Sequence, residues 1–436
     1  MTAERSNGAA SMTRLPAPSR VLTPMGLAVC LSLFGDLALY ASLVTQLDAV
    51  GLSLGALGLM LSIHRLIRIP GNPLAGALFD RRGRQRLFIL GMLLATLSTA
   101  GYGLARGFWP FLISRLAWGI AWALINVGGM AMVLDVSTPT NRGRLVGVYN
   151  TWVLLGLALG PLVGGFLVDL LDFRLAMLAC AGITALGLAI AMVALPETAP
   201  TTNRNAQNQV QQRLKLRRRL AVAWQQATKT LNANRGMVSA SLLYMITQFA
   251  GDGVALSTVS LLLQKRFGES VALGNLALGV ASAGGILLAL RSLLAGVVGP
   301  LAGHLSDRRT GRWPVILGSL AVGMLGFGLL SLATSLWAII LGVALGAISA
   351  GAALAALAAY VGDATPPGKQ GVIMGAYAAA GDIGSTAGPV LAFALVSVVD
   401  VRWVYAFCAL VFLIGLGLSW HSRGETRRPD DLSPRG

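Results

Sequence analysis

The chain has 436 residues, 55% hydrophobic and 12% charged, with a formal net charge of +17. Soluble chains carry about 25% charged residues, so this balance excludes a disordered polymer and argues against an ordinary water-soluble enzyme. The 54 Gly and the mean hydropathy of +0.71 point to a lipid-embedded chain instead.

Continuous apolar runs of about twenty residues predict an all-α, polytopic membrane protein, whereas a β-barrel would show ten-residue alternating segments. Twelve spans are expected, at 22–44, 54–79, 87–105, 109–134, 145–169, 174–195, 237–263, 272–303, 314–333, 337–362, 372–398 and 403–420. Each can cross a hydrocarbon core of about 30 Å at about 1.5 Å per residue. They divide the chain into a tail 1–21, a six-helix bundle 22–195, a basic linker 196–236, a second six-helix bundle 237–420 and a tail 421–436. The first span is too long for the apolar core of a signal peptide, holds Asp36 and lacks a small-residue cleavage site, so it is expected to remain in the protein. Cys30, Cys180 and Cys408 lie in apolar runs without metal spacing, so neither disulfide nor zinc is expected.

Charge orients the spans. With both termini on one side, that side holds 25 of the 34 Lys and Arg, the opposite loops hold 5, and the spans hold Arg65, Arg68, Arg115 and Arg291. Excess Lys and Arg mark the cytoplasmic face, so both termini are expected in the cytoplasm. The net charge is thereby explained by topology, and no nucleic-acid partner is called for. The linker, with RLKLRRR at 213–219, reads as a basic segment attracted to an anionic inner leaflet.

The two halves repeat in parallel. At an offset of 228, LDFR at 171–174 matches VDVR at 399–402, Asp135 matches Asp363, and Gly156, Gly160 and Pro161 match Gly384, Gly388 and Pro389. GALFDRRGR at 76–84 matches GHLSDRRTGR at 303–312 with one insertion, and Asp252 is a plausible counterpart of Asp36. Two pseudo-symmetric six-helix bundles related by an axis along the membrane normal place a ligand site between them, near the midplane.

These motifs carry a family resemblance over nearly the whole chain. Gly76-x3-Asp80-Arg81-Arg82-Gly83-Arg84 resembles the motif between helices 2 and 3 of the major facilitator superfamily, repeated at 303–312. Arg115-x3-Gly119 is similar to its span-4 motif. Gly156-x3-Gly160-Pro161-x2-Gly164-Gly165 resembles the motif of its antiporters, and LPET at 195–198 occurs in drug-efflux members. The resemblance implies a gate at Gly76, Asp80, Arg81, Gly83 and Arg84, a weaker copy at Asp307 and Arg312, and partners such as Asp135, Arg142 and Arg144. It also implies a role in proton coupling for Arg115. From the residues alone, a carboxylate at the end of a span can sit in the positive dipole of a neighbouring helix N-terminus. Glycines four apart form a ridge for close helix approach, and Pro161 permits a bend, so span 5 reads as packing surface, hinge or seal.

Charges inside the bilayer are costly unless paired or facing water. By helix rise, Asp36 and Arg65 both lie roughly 21 Å from the cytoplasmic side and Arg115 roughly 28 Å. Asp36 is the leading proton-coupling carboxylate, with a static ion pair as the alternative. Asp252 and Asp382 follow it. Arg65 and Arg68 flank the proline-broken stretch 70–73, where they can bond freed carbonyls or a ligand. His64 is expected to be neutral and packed. Tyr40, Asn126, Trp118, Trp122, Asn150, Trp152, Tyr244, Gln248 and Tyr377 could line a cavity.

The expected function is secondary transport: a monomeric, proton-coupled antiporter in the cell membrane that exports small organic molecules. A symporter importing a metabolite and a transport-inactive sensor are the alternatives. No phosphate-binding loop, metal cluster or nucleophile constellation is visible, so neither a cofactor nor enzymatic activity is expected.

Overall fold

The computed structural model describes residues 16–138, 140–198, 235–273, 276–307, 311–366 and 370–425, without the side chains of 80–82, 273, 276, 370–372 and 421–425. Most of the basic linker lies outside the described residues. Among the described residues there are twelve long helices: α1 (Pro18–Ser42), α2 (Leu54–Arg82), α3 (Gln85–Leu104), α4 (Phe108–Asp135), α5 (Arg142–Leu170), α6 (Phe173–Ala194), α7 (Arg235–Phe267), α8 (Val280–Leu305), α9 (Arg312–Leu332), α10 (Leu336–Ala364), α11 (Gln370–Val396) and α12 (Val401–Glu425). Twelve crossings put the starts of α1 and α7 and the end of α12 on one face, called here the near face.

Among the described residues, eleven of these helices are long and apolar enough to cross a membrane. The exception is α2, which carries Arg65 and Arg68 in its middle and Arg82 at its end. The outer surface is lipid-like: Leu170, Val193, Leu332 and Val398 are 77–89% exposed. Trp109, Trp337 and Trp403 stand exposed at the far-face starts of α4, α10 and α12, where an interfacial ring is favoured. Several helix starts are capped as their sequences dictate. Ser53, Asp172 and Ser335 accept hydrogen bonds from the backbone N–H three residues on, satisfying one orphan donor each.

Two expectations are corrected. The span predicted from 272 begins at Val280, because Ser270–Leu273 and Leu276–Gly279 pair as an antiparallel hairpin on the far face. A short apolar run does not distinguish strand from helix by hydropathy. Pro70 and Pro73 do not break α2, which runs continuously from Leu54 to Arg82. Neighbouring helices can accommodate the lost N–H groups, and α2 packs closely on α4.

The repeat governs packing. In the first half Gly156, Gly160 and Gly164 face α1 at Cys30, Leu33, Leu37 and Ala38, so α5 lies flat on α1. In the second half Gly384 and Gly388 face Met245, Phe249 and Gly253 of α7. The halves then meet along two symmetry-related seams. A Cβ on Gly285 would stand 2.2 Å from the carbonyl oxygen of Pro161, and one on Gly58 2.7 Å from that of Pro389. Gly165 presses on the Ala281 carbonyl beside the first seam, and Asp169 accepts from the Ser282 N–H at 2.7 Å, in the first turn of α8.

The seams lie toward the far face. Near-face glycines Gly143 and Gly147 of α5 and Gly375 of α11 have open space where a Cβ would stand. The halves therefore close at the far face and part toward the near face. A side chain at Gly285 should wedge the first seam open. With spin labels on Ala49→Cys and Glu269→Cys, exposed far-face positions of the two halves, Gly285→Leu is expected to add a longer-distance population. An unchanged distance distribution would contradict the seam.

Candidate functional site

The most enclosed charge is Arg115 on α4, with no exposed surface. Three neighbouring helices build its cage. Its Nη1 bonds the Asp36 carboxylate of α1 and, at 3.3 Å, the Tyr102 hydroxyl of α3. Its Nε donates to the Met60 carbonyl of α2 at 2.7 Å, and its Nη2 lies 2.6 Å from His64 Nδ1. Tyr40, one turn beyond Asp36, donates to the Leu61 carbonyl at 3.1 Å, with the Arg115 guanidinium 6.0 Å from its ring. A guanidinium presents a planar fork of donors, which this cage meets with a carboxylate, a carbonyl, an imidazole nitrogen and a hydroxyl.

Helix rise had put Asp36 level with Arg65; the structure instead pairs Asp36 with Arg115. The long guanidinium stem covers the axial difference. His64 is packed as expected, but against Arg115 directly. The residues that sequence reasoning missed are Tyr102 and the Met60 carbonyl. Both are neutral, so no charge in an apolar run marked them.

A second cluster lines the gap between the halves. Asp252 lies in the π-helical turn Phe249–Ala255 of α7, a distortion common at functional positions. One carboxylate oxygen bonds Arg291 of α8, and the other accepts from Gln248 at 3.2 Å. Its side chain keeps 36% exposure, against 8% for Asp36. Across the gap, Arg68 of α2 stands 3.9 Å from Asp382 of α11. Tyr244 and Tyr377 stack with ring centroids 4.3 Å apart. Arg65 and Arg68 do not bond freed carbonyls of α2, and the Nε of each is buried without a partner. Asn126 is half-buried, about 16 Å along α4 from Arg115, and so stands outside the cage. Trp118 is core, stacked on Trp122, and does not line the gap.

The near-face motif residues form struts within each half. Arg84 Nε donates to Asp135 at 3.0 Å, and Thr198 also bonds that carboxylate at 3.1 Å. Arg312 repeats the pair with Asp363 at 2.9 Å and adds Asp307 and Ser306. Neither Arg–Asp pair bridges the two halves. Arg142 bonds Ser137 at 3.4 Å. The side chains of Asp80 and Arg81 lie outside the described residues. Gly83 takes φ +86 at the turn before α3. There Glu197 of the LPET segment accepts from the backbone N–H groups of Arg84 and Gln85 at 2.8 and 3.3 Å. The carboxylate at this helix dipole is thus Glu197. Gly156, Gly160 and Gly164 serve packing within their half, and Pro161 and Gly165 form the seam.

Twelve helices in two repeated bundles around a charged gap define a membrane transporter. The model of the Major Facilitator Superfamily matches residues 25–291 and 278–435. The chain belongs to that superfamily. It is similar to multidrug resistance protein 1 of Bacillus subtilis, 28% identical over 38% of this chain and 41% of that protein, so the match spans less than half of that relative. It is also similar to major facilitator superfamily domain-containing protein 10 of Mus musculus, 25% identical over 83% of this chain and 78% of that protein. Among solved structures, a bacterial homologue of the human lysosomal transporter Spinster, inward-facing and occupied, superimposes with a TM-score of 0.72 at 17% identity, covering 94% of this chain and 97% of that one. At that identity the likeness shows the fold.

The buried pair generates a stability test. Asp36→Ala leaves Arg115 charged and unpaired, which costs about 3–5 kcal/mol when one partner of a buried pair is removed. Asp36→Ala combined with Arg115→Met should recover most of that loss in chemical unfolding of the purified protein. Equal losses in the single and double variants would show that the pair does not hold α1 to α4.

Proposed function

We propose that the protein is a proton-coupled antiporter that exports small organic molecules by alternating access. It would act as a monomer in the plasma membrane, with the near face in the cytoplasm. The observation that carries this reading is the sealed Asp36–Arg115 pair beside a gap open to the near face. In this reading the state described here is the one that follows release of a proton inward, with the Asp36–Arg115 pair made and the gap free to take substrate from the cytoplasm. Opening of the far face would let a proton reach Asp36, weaken its hold on Arg115 and accompany substrate release. His64, 2.6 Å from Arg115, gives the freed guanidinium an alternative partner.

Asp252 and Asp382, with Arg65 and Arg68, face the substrate in this reading. The Arg84–Asp135 and Arg312–Asp363 struts brace the near-face ends against which Asp80 and Arg81 close the cytoplasmic gate. The Lys and Arg bias supports the orientation. The similarity to a multidrug resistance protein and the Gly-Pro motif of α5 support export.

Proteoliposomes with an imposed pH gradient test it, using a panel of anionic, neutral and cationic aromatic solutes. Wild type should move solute against the proton flow. Asp36→Asn should lose at least tenfold of gradient-driven flux, and Asp36→Glu should retain part of it. Solute and proton moving together would make the protein a symporter. No solute-linked proton flux in any arm would favour a transport-inactive sensor.

A further inference from the structure

Charge in the mid-membrane part of the described helices does not balance, with Asp169 set apart at the far-face end of α5 on the Ser282 N–H. Arg115 takes Asp36, Arg291 takes Asp252, and Arg68 lies 3.9 Å from Asp382. Arg65 has no carboxylate within ion-pair distance. Its guanidinium carbon lies 6.0 Å from the Tyr40 ring centroid. The carboxylates that act on it, Asp252 across the gap and Asp36 in its own half, are already held by Arg291 with Gln248 and by Arg115. The gap between the halves thus carries one excess positive charge in a low-dielectric setting, where an unpaired cation is costly.

The unmet hydrogen bonds there are mainly donors. Arg65 Nε and Arg68 Nε are buried donors without acceptors, the buried Tyr377 hydroxyl is also unbonded, and one acceptor, Asn72 Oδ1 one turn beyond Arg68, is unbonded with them. Tyr377 stacks on Tyr244, on whose hydroxyl Asp252 and Asp382 act as well as both arginines. Donors without acceptors call for a ligand that brings oxygens and a negative charge. Tyr244, half-buried and backed by the buried Tyr377 ring, offers a flat apolar wall.

We infer that the gap binds an organic monoanion, its carboxylate or sulfonate docked on Arg65 and its ring carried against the Tyr244–Tyr377 pair. This inference rests on the transporter reading and narrows its substrate class. A neutral solute would leave the excess charge in place, and a cation would double it. A monoanion neutralises the gap while its oxygens meet the free guanidinium donors, the geometry in which Arg recognises an oxyanion.

The test uses purified full-length protein with three probes of similar shape: 1-naphthalenesulfonate, neutral 1-naphthamide and the cation N-methylquinolinium. Equilibrium binding should favour the sulfonate by at least tenfold over the other two. Arg65→Gln should abolish that preference, and Arg65→Lys should weaken it while keeping its sign. Thermal unfolding gives a readout independent of the probe. A cation held for a ligand is not needed by the empty fold, so Arg65→Gln should unfold at or above the wild-type temperature. Arg291→Gln, which strips Asp252 of its partner, should unfold below it. Wild type that prefers the neutral or cationic probe, or binds none of the three at millimolar concentration, overturns the inference. So does a preference that survives in Arg65→Gln, or a fall of 5 °C or more in its unfolding temperature. If these arms fail while Asp36-dependent, proton-driven flux of another solute persists, the substrate class alone is wrong. If that flux is absent as well, the transporter reading falls with it.

Discussion

The cost of a charge in hydrocarbon organises this protein. Each charged side chain within a span must find a partner or face a polar gap, and the helices are arranged so that they do. Helix α2 shows the consequence. Arg65 and Arg68 make it too polar to qualify as a membrane span by hydropathy, yet it sits between α4 of its own half and α11 of the other. There its charged face meets Asp382, Tyr40 and the Arg115 cage instead of lipid. The fold encloses the charged face of this helix while Leu66 and Leu74 stay exposed on its other side, and the site is the set of charges that made that cover necessary.

The second constraint is steric and comes from the repeat. Pro161 and Pro389 are 228 residues apart, and Gly285 and Gly58 are 227 apart. Each proline carbonyl meets the glycine of the opposite half, so one contact is built twice about a pseudo-twofold axis. Interlocked large side chains would hinder any parting of the two halves. A carbonyl lying on a glycine offers close approach with little to disentangle, and small residues are the general route to such packing in lipid. The Arg84–Asp135 and Arg312–Asp363 struts obey the same offset and brace each half internally. Rigid halves joined by flat seams suit rocking as units.

Much of this was legible in the sequence because it is written in extremes. Twelve apolar runs, the 228-residue repeat and lone charges such as Asp36 and Arg115 stand out against an apolar background. What was not legible depends on neutral groups or on fine axial position. Tyr102 and the Met60 carbonyl complete the Arg115 cage but resemble ordinary helix content. Counting rise from span ends put Asp36 beside Arg65, because helix ends are uncertain by a turn and an arginine stem reaches several ångströms. The hairpin before α8 was read as helix because its residues are as apolar as those of a span. Glu197 was visible only as part of a segment frequent in efflux relatives, and its place over the first turn of α3 required the fold.

The two halves share a backbone plan but differ in how they hold their acid. The position 228 residues beyond Arg115 is Val343, so the second half has no caged arginine in α10. His64 and Arg291 are 227 residues apart, the spacing of the Gly76 and Gly303 motif copies. In the first half this α2 position is an imidazole supporting Arg115; in the second, the matching α8 position is itself the arginine that binds Asp252. Moving the cation from α4 to the α8 position carries the ion pair from the centre of a bundle to the edge of the gap, and the exposure of Asp252 relative to Asp36 follows. One repeat therefore seals its carboxylate and the other presents it. A symmetric scaffold in this way supplies two unlike environments for its two acids.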